Sequence, residues 1–182
     1  MMQHCPTMDV AAGRVSRRSL FRGGLGAAGL LLLGGSAAWL WRPGLAGGRL
    51  TTTGRAVFLA VAQAVLEGCL PTETAARARA LDAHARHLDE TLAALPAAVR
   101  SEVGLLLGLL SVAAGRRWLT GLQVDWTEAD VPAVQAALDR MRADEDPLRL
   151  QAYHALRDLN NAAFFAQPEQ WSLLGYPGPT PV

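Results

Sequence analysis

His84 and His87, three residues apart in a helix-forming stretch, are the one pair of side chains with metal-ligand spacing. Structural zinc takes four ligands, so the pair would need His154 or a carboxylate from another helix. His84 falls between Leu81 and Leu88 on an apolar stripe, while His87 lies at its edge beside Arg86 and Asp89. One partly buried and one solvated histidine is the simpler reading. Asn160 and Asn161 interrupt an apolar helix, and Asn160 reads as a hydrogen-bonded core group. Asp144-Glu145-Asp146 reads as a capped, solvated turn. No serine has a base in a recognisable frame, and no carboxylate pair stands out from the helix surfaces. Of the two cysteines, Cys5 lies ahead of a leader-like segment and Cys69 stands alone behind it. Haem-attachment, zinc and iron–sulfur spacings, a lipobox and glycine-rich phosphate loops are all missing. The sequence therefore assigns no catalytic residue, no metal ligand and no cofactor-binding residue to this chain.

The chemistry that remains is recognition, and it begins near the front. Ser16-Arg17-Arg18-Ser19-Leu20-Phe21-Arg22 runs directly into Gly23–Trp41, nineteen residues without a charge. Adjacent arginines in a serine and aromatic frame, followed by a weakly apolar segment, form a twin-arginine export signal, with Ser16, Arg17, Arg18, Leu20 and Phe21 as the residues read. Leucine and phenylalanine are swapped relative to the usual order, and Arg22 replaces the usual lysine. Six glycines in the apolar segment lower its hydrophobicity and its helix propensity. The arginines ahead of it place the N-terminus in the cytoplasm. Pro43 breaks the segment, and Gly44-Leu45-Ala46 offers a cleavage site after Ala46; a leader kept as a membrane anchor is the alternative. Residues 1–46 are thus an export signal, and 50–182 a single domain in the periplasm or on the outer face of the cytoplasmic membrane.

The elements behind the leader are helices. After Leu50 the chain carries eleven arginines against fifteen carboxylates, a mildly acidic balance that argues against nucleic acid as a partner. Roughly 135 residues suffice for one real core. Thr51–Thr53 cap a first helix ending at Gly68, and Thr72 caps a second, reaching about Leu95, with Leu81, Leu88, Leu92 and Leu95 on one stripe. A third helix runs from Ala97 to about Leu119; its uncharged Val103–Ala114 predicts a buried central helix. Thr127–Asp130 start a fourth, to about Ala143, and Asp146-Pro147 a fifth, to about Ala166. The expected fold is all-α: about five helices around one apolar central helix, with an irregular proline and aromatic tail. That tail either straps across its own bundle or presents Trp171 and Tyr176 to another protein.

From Leu50 onward the layout resembles the small-subunit family typified by subunit 3 of membrane-bound gluconate 2-dehydrogenase. Leu50-Thr51, Leu70-Pro71, Tyr153-His154-Ala155-Leu156-Arg157, Phe164-Phe165, Pro168, Trp171 and Leu174-Gly175-Tyr176-Pro177-Gly178-Pro179 carry the likeness. The resemblance implies a non-catalytic subunit that binds no cofactor. It would dock to a large, FAD-dependent dehydrogenase of the glucose–methanol–choline type, in some cases with a cytochrome c subunit. It would also supply the signal read by the twin-arginine translocation machinery. Tyr153, Phe164, Phe165, Trp171, Tyr176 and Pro177 are the expected docking residues. The competing readings are a membrane-anchored all-α scaffold and, further off, a small metalloenzyme built on His84 and His87.

Overall fold

The structure is a computed structural model that describes residues 43–178. Its first element is a short antiparallel hairpin, β1 (Leu45–Ala46) and β2 (Arg49–Leu50), with Leu45 opposite Leu50. Gly47 and Gly48 make the turn with φ of 59° and 81°, values that a type I′ connection needs and side chains resist. The remainder is helical: α1 (Thr52–Val65), α2 (Thr74–Ala94), α3 (Ala97–Ser111), α4 (Ala113–Thr120), α5 (Val131–Ala143), α6 (Pro147–Phe165) and a 3-10 helix (Pro168–Leu174). The all-α reading holds.

Local chemistry sets most of these bounds. The Thr51 hydroxyl accepts from Gly54 N–H at 3.2 Å and starts α1. The carboxylate of Glu73, rather than Thr72, caps α2, taking the N–H groups of Ala75 and Ala76 at 2.8 and 2.6 Å. These two donations hold the Glu73 carboxyl below its usual range. Asp130 and Asp146 cap α5 and α6, each followed by proline at a helical position where its missing N–H costs nothing.

Two expectations about the third helix are corrected. The run from Ala97 to Leu119 is two helices, not one, and they meet at 102°. Val112 is extended (φ −95°, ψ 134°), and Gly115 then lies so close to the end of α3 that a Cβ there would collide with the Leu109 carbonyl oxygen. The freed carbonyls find partners: Leu109 O accepts from Val112 N–H at 3.3 Å, and Leu110 O from the buried Trp126 indole at 2.8 Å. Nor is α3 the central helix. It buries Val103, Leu107, Gly108 and Leu110, yet leaves Leu105 54% exposed. The hub is α1, which packs against α2, α3, α5 and α6 and keeps Val57, Phe58 and Val61 wholly out of solvent. Its small residues, Ala60, Ala62 and Ala64, let neighbours approach on several sides. No helix among the described residues is long and apolar enough to cross a membrane.

The apolar interior has two parts. The larger joins α1 to α3, α5, α6 and the lower half of α2 around Phe58, Leu88, Leu107, Met141 and Leu156. The smaller gathers Ala62, Leu66, Leu70 and Phe164. The short α4 is fixed by arginines from other helices. Arg140 donates to Thr120 O at 3.2 Å and Arg149 to Trp118 O at 3.0 Å, placing positive charge at the negative end of that helix.

Candidate functional site

His84 is the buried polar centre that the spacing singled out. α2 carries it inward at 2% exposure, and its Nε2 meets Asn160 Oδ1 of α6 at 2.9 Å. The Asn160 amide nitrogen donates to Leu156 O at 2.8 Å, which leaves Oδ1 as acceptor and His84 Nε2–H as donor. Nδ1 then has no partner among the described residues, and the ring stands edge-on to Phe164 at 6.0 Å. Burial pushes the His84 pKa below its ordinary value; the Asn160 bond opposes this and neighbouring His87 adds to it. A neutral imidazole in this setting locks α2 to α6. His87 is half-buried, and His154 is exposed beside Asp158, with 3.9 Å between Nδ1 and the carboxylate. Among the described residues, no three His, Cys, Asp or Glu side chains gather where a metal ion could be held.

Arg116 is a buried charge, 4% exposed, and its Nη1 reaches Asp125 at 3.1 Å. Desolvation works against the Asp125 carboxylate, but donations from the Thr127 N–H and hydroxyl and the charge of Arg116 outweigh it and lower its pKa. This pair ties α4 to the loop that delivers Trp126. An open groove of about 500 Å³ lies between the hairpin and α3, lined by Pro43, Leu45, Gly48, Arg100, Gly104 and Leu105. Its one charged group among the described residues, Arg100, is spent on the carbonyls of Ala93 and Leu95. Among the described residues, no acid and base pair or activated nucleophile converges there.

The aromatic tail is where the expected docking residues come together. Pro168–Leu174 forms a 3-10 helix rather than an irregular strap, with Pro168 at its first turn. The Trp171 indole donates to Phe165 O at 3.0 Å, pinning the turn to the end of α6. Gly175 takes φ 69° and reverses the chain, so that Tyr176 N–H reaches Trp171 O at 3.1 Å. The Tyr176 ring lies 5.5 Å from that of Trp171, and a Cβ placed on Gly178 would stand 3.9 Å from the same indole. The result is a small self-stapled knob. It buries none of its own residues completely and leaves Leu173, Leu174 and Tyr176 at 52%, 61% and 48% exposure.

The six expected docking residues divide. Phe165, Trp171, Tyr176 and Pro177 belong to the knob or its footing, and Pro177 is exposed. Phe164 is 6% exposed and fills the smaller apolar cluster, so it is a core residue, not a surface anchor. Tyr153 is half-buried three turns back along α6, stacked edge-on to His154 at 5.2 Å and about 18 Å from Phe165 by helical rise. Sequence reasoning passed over Leu173 and Leu174, which the 3-10 geometry turns outward, and Trp118, half-exposed on α4. Trp118 lies beside the start of α6, where Leu148 is also exposed. Exposed apolar side chains therefore mark both ends of α6. Ser16, Arg17, Arg18, Leu20 and Phe21 lie outside the described residues.

Comparisons with protein-family models, curated proteins and solved structures find no match to this chain.

Proposed function

We propose that this chain is a non-catalytic small subunit of an exported, flavin-dependent dehydrogenase of the alcohol or sugar type. In this reading it binds no cofactor of its own, docks to the large FAD-bearing subunit and supplies the twin-arginine signal for the pair. A cytochrome c subunit is a further partner. The complex works in the periplasm or on the outer face of the cytoplasmic membrane.

The observation that carries the reading is the knob at the end of α6. Its backbone is braced by Trp171, Gly175 and Tyr176, while Leu173, Leu174 and Tyr176 face outward. An apolar surface on a pre-stiffened turn loses little conformational entropy on binding, which makes it a favourable anchor for another protein. The twin arginines give the second support. The cysteine pattern of the domain offers no internal disulfide once the leader is gone, so the need for folded export is better placed in a partner whose FAD is inserted before crossing. A membrane-anchored scaffold would use the same knob with the leader retained.

The test is isolation of the tagged full chain from the periplasm and membranes of its own cells. Co-purification of a flavoprotein with a bound-flavin absorbance spectrum is expected, together with its loss from the periplasm when this chain is deleted. A deletion that leaves the flavoprotein fully exported and active refutes the proposal.

A further inference from the structure

The small-residue stretch Gly44-Leu45-Ala46, which has the composition of a signal-peptidase site, is built into the folded domain. Gly44 is buried between two helices. On one side a Cβ at Gly44 would overlap Leu107 Cβ and come within 3.1 Å of the Leu107 backbone. On the other, a Cβ at Gly54 would strike the Gly44 carbonyl and lie 3.0 Å from its carbon. Two glycines thus let the entering chain, α1 and α3 meet at backbone distance. Gly44 has no positive φ, so what demands glycine there is space.

Polar groups fasten the same segment. Gly44 O accepts from Thr51 N–H at 3.1 Å, and the Thr51 hydroxyl lies 2.7 Å from Pro43 O and 3.2 Å from Gly44 O. Thr51 is also the cap of α1, so one side chain fixes both the incoming strand and the first turn of the hub helix. Leu45 pairs with Leu50 and packs against the larger core cluster, and Leu50 N–H is held by Asp89 at 2.7 Å.

We infer that the chain is not cut after Ala46: Pro43–Leu50 stays with the domain, and any processing of the leader falls N-terminal to Pro43. Proteolysis after Ala46 needs that stretch extended and free. Here it would have to be pulled from a hydrogen-bonded hairpin, and its loss would open the wholly buried Leu107 to solvent. The folded unit accordingly starts ahead of residue 50. The inference rests on the export reading only for where a protease would act.

Gly44→Ala separates the two roles. It converts Gly-Leu-Ala into Ala-Leu-Ala, a better match to the small-residue cleavage pattern, so a discarded leader residue would accept it without effect. A residue wedged between α1 and α3 would not. The full chain and its Gly44→Ala variant are purified unprocessed in mild detergent and melted by circular dichroism. The expected result is a Tm lower by roughly 5–10 °C in the variant, from overpacking; identical melting overturns the inference. In parallel, the N-terminus of the wild-type chain recovered after export is read by intact mass. A terminus at or before Pro43 supports the inference, and a terminus at Gly47 overturns it. If no chain is exported, the export reading fails and the melting comparison decides the inference alone.

Discussion

Replacing Asn160 with leucine will destabilise the domain more than replacing His84 and Asn160 together. Both side chains are buried, and among the described residues Asn160 is the one partner of His84 Nε2–H while Nδ1 has none. Asn160→Leu keeps the branched shape and heavy-atom count of the side chain but strands that donor, at a cost of about 1–3 kcal/mol. Losing the Asn160 donation to Leu156 O adds little, because a helical carbonyl can bond along the helix. In the double variant, His84→Leu with Asn160→Leu, the stranded donor is gone and two apolar side chains face each other beside Phe164. A coupling of about 1–3 kcal/mol between the sites is therefore expected from urea unfolding followed by tryptophan fluorescence. The same ring gives a pH signature. Its folded pKa lies below the unfolded value of 6.5, so the unfolded state binds the extra proton first. Stability from this group is complete above pH 6.5 and falls as pH drops toward the folded pKa, by at most about 1.4 kcal/mol per pH unit. Wild type should lose stability between pH 7.5 and 5.5, and His84→Leu should lose measurably less. Additive single variants, or an equal pH dependence with and without His84, would refute the account.

Phe164→Ala should lower stability by about 3–5 kcal/mol, visible as a large fall in the urea midpoint, because it empties the centre of the smaller cluster. Leu174→Asp should leave the midpoint almost unchanged while abolishing flavoprotein co-purification, since the side chain is exposed in the wild type. Trp126→Phe removes the donor to Leu110 O and should cost about 1–3 kcal/mol in the same denaturation assay. Asp130→Ala should cost about 0.5–2 kcal/mol through loss of the α5 cap on Ala133 N–H, again by urea titration.

The helix starts were legible wherever a capping side chain lay next to a periodic apolar run, as at Thr51, Asp130 and Asp146. The shift from Thr72 to Glu73 is a choice between adjacent acceptors, which composition does not decide. The break at Val112 was not legible, because no proline or glycine stands at the bend. It depends on Gly115 three residues later and on Trp126, fourteen residues later, supplying a donor to the end of α3. Hydropathy also misplaced the centre. Val103–Ala114 is the greasier run, but α1 is central because its alanines admit neighbours on several faces, and apolar content alone does not encode that. The polar pair could be half read: Asn160 was expected to be satisfied in the core and His84 to lie inward. Their partnership across a separation of 76 residues comes only from the packing of α2 on α6.

That packing also explains how one helix can serve as both core and platform. Along α6, Ala152, Leu156, Asn160, Ala163 and Phe164 face inward, and the His84–Asn160 bond fixes the helix against sliding along α2. An apolar contact tolerates a shift of register; a single buried hydrogen bond does not, since a shift strands two polar groups at once. With α6 fixed, both its ends have defined positions. Arg149 holds the first turn to α4 through Trp118 O, and the carbonyl of Phe165 in the last turn holds the Trp171 indole. The knob is thus mounted on a helix whose register the core specifies by a polar contact. If the knob docks as proposed, its few exposed leucines and tyrosine gain specificity only with a fixed position, and the buried pair supports that from below.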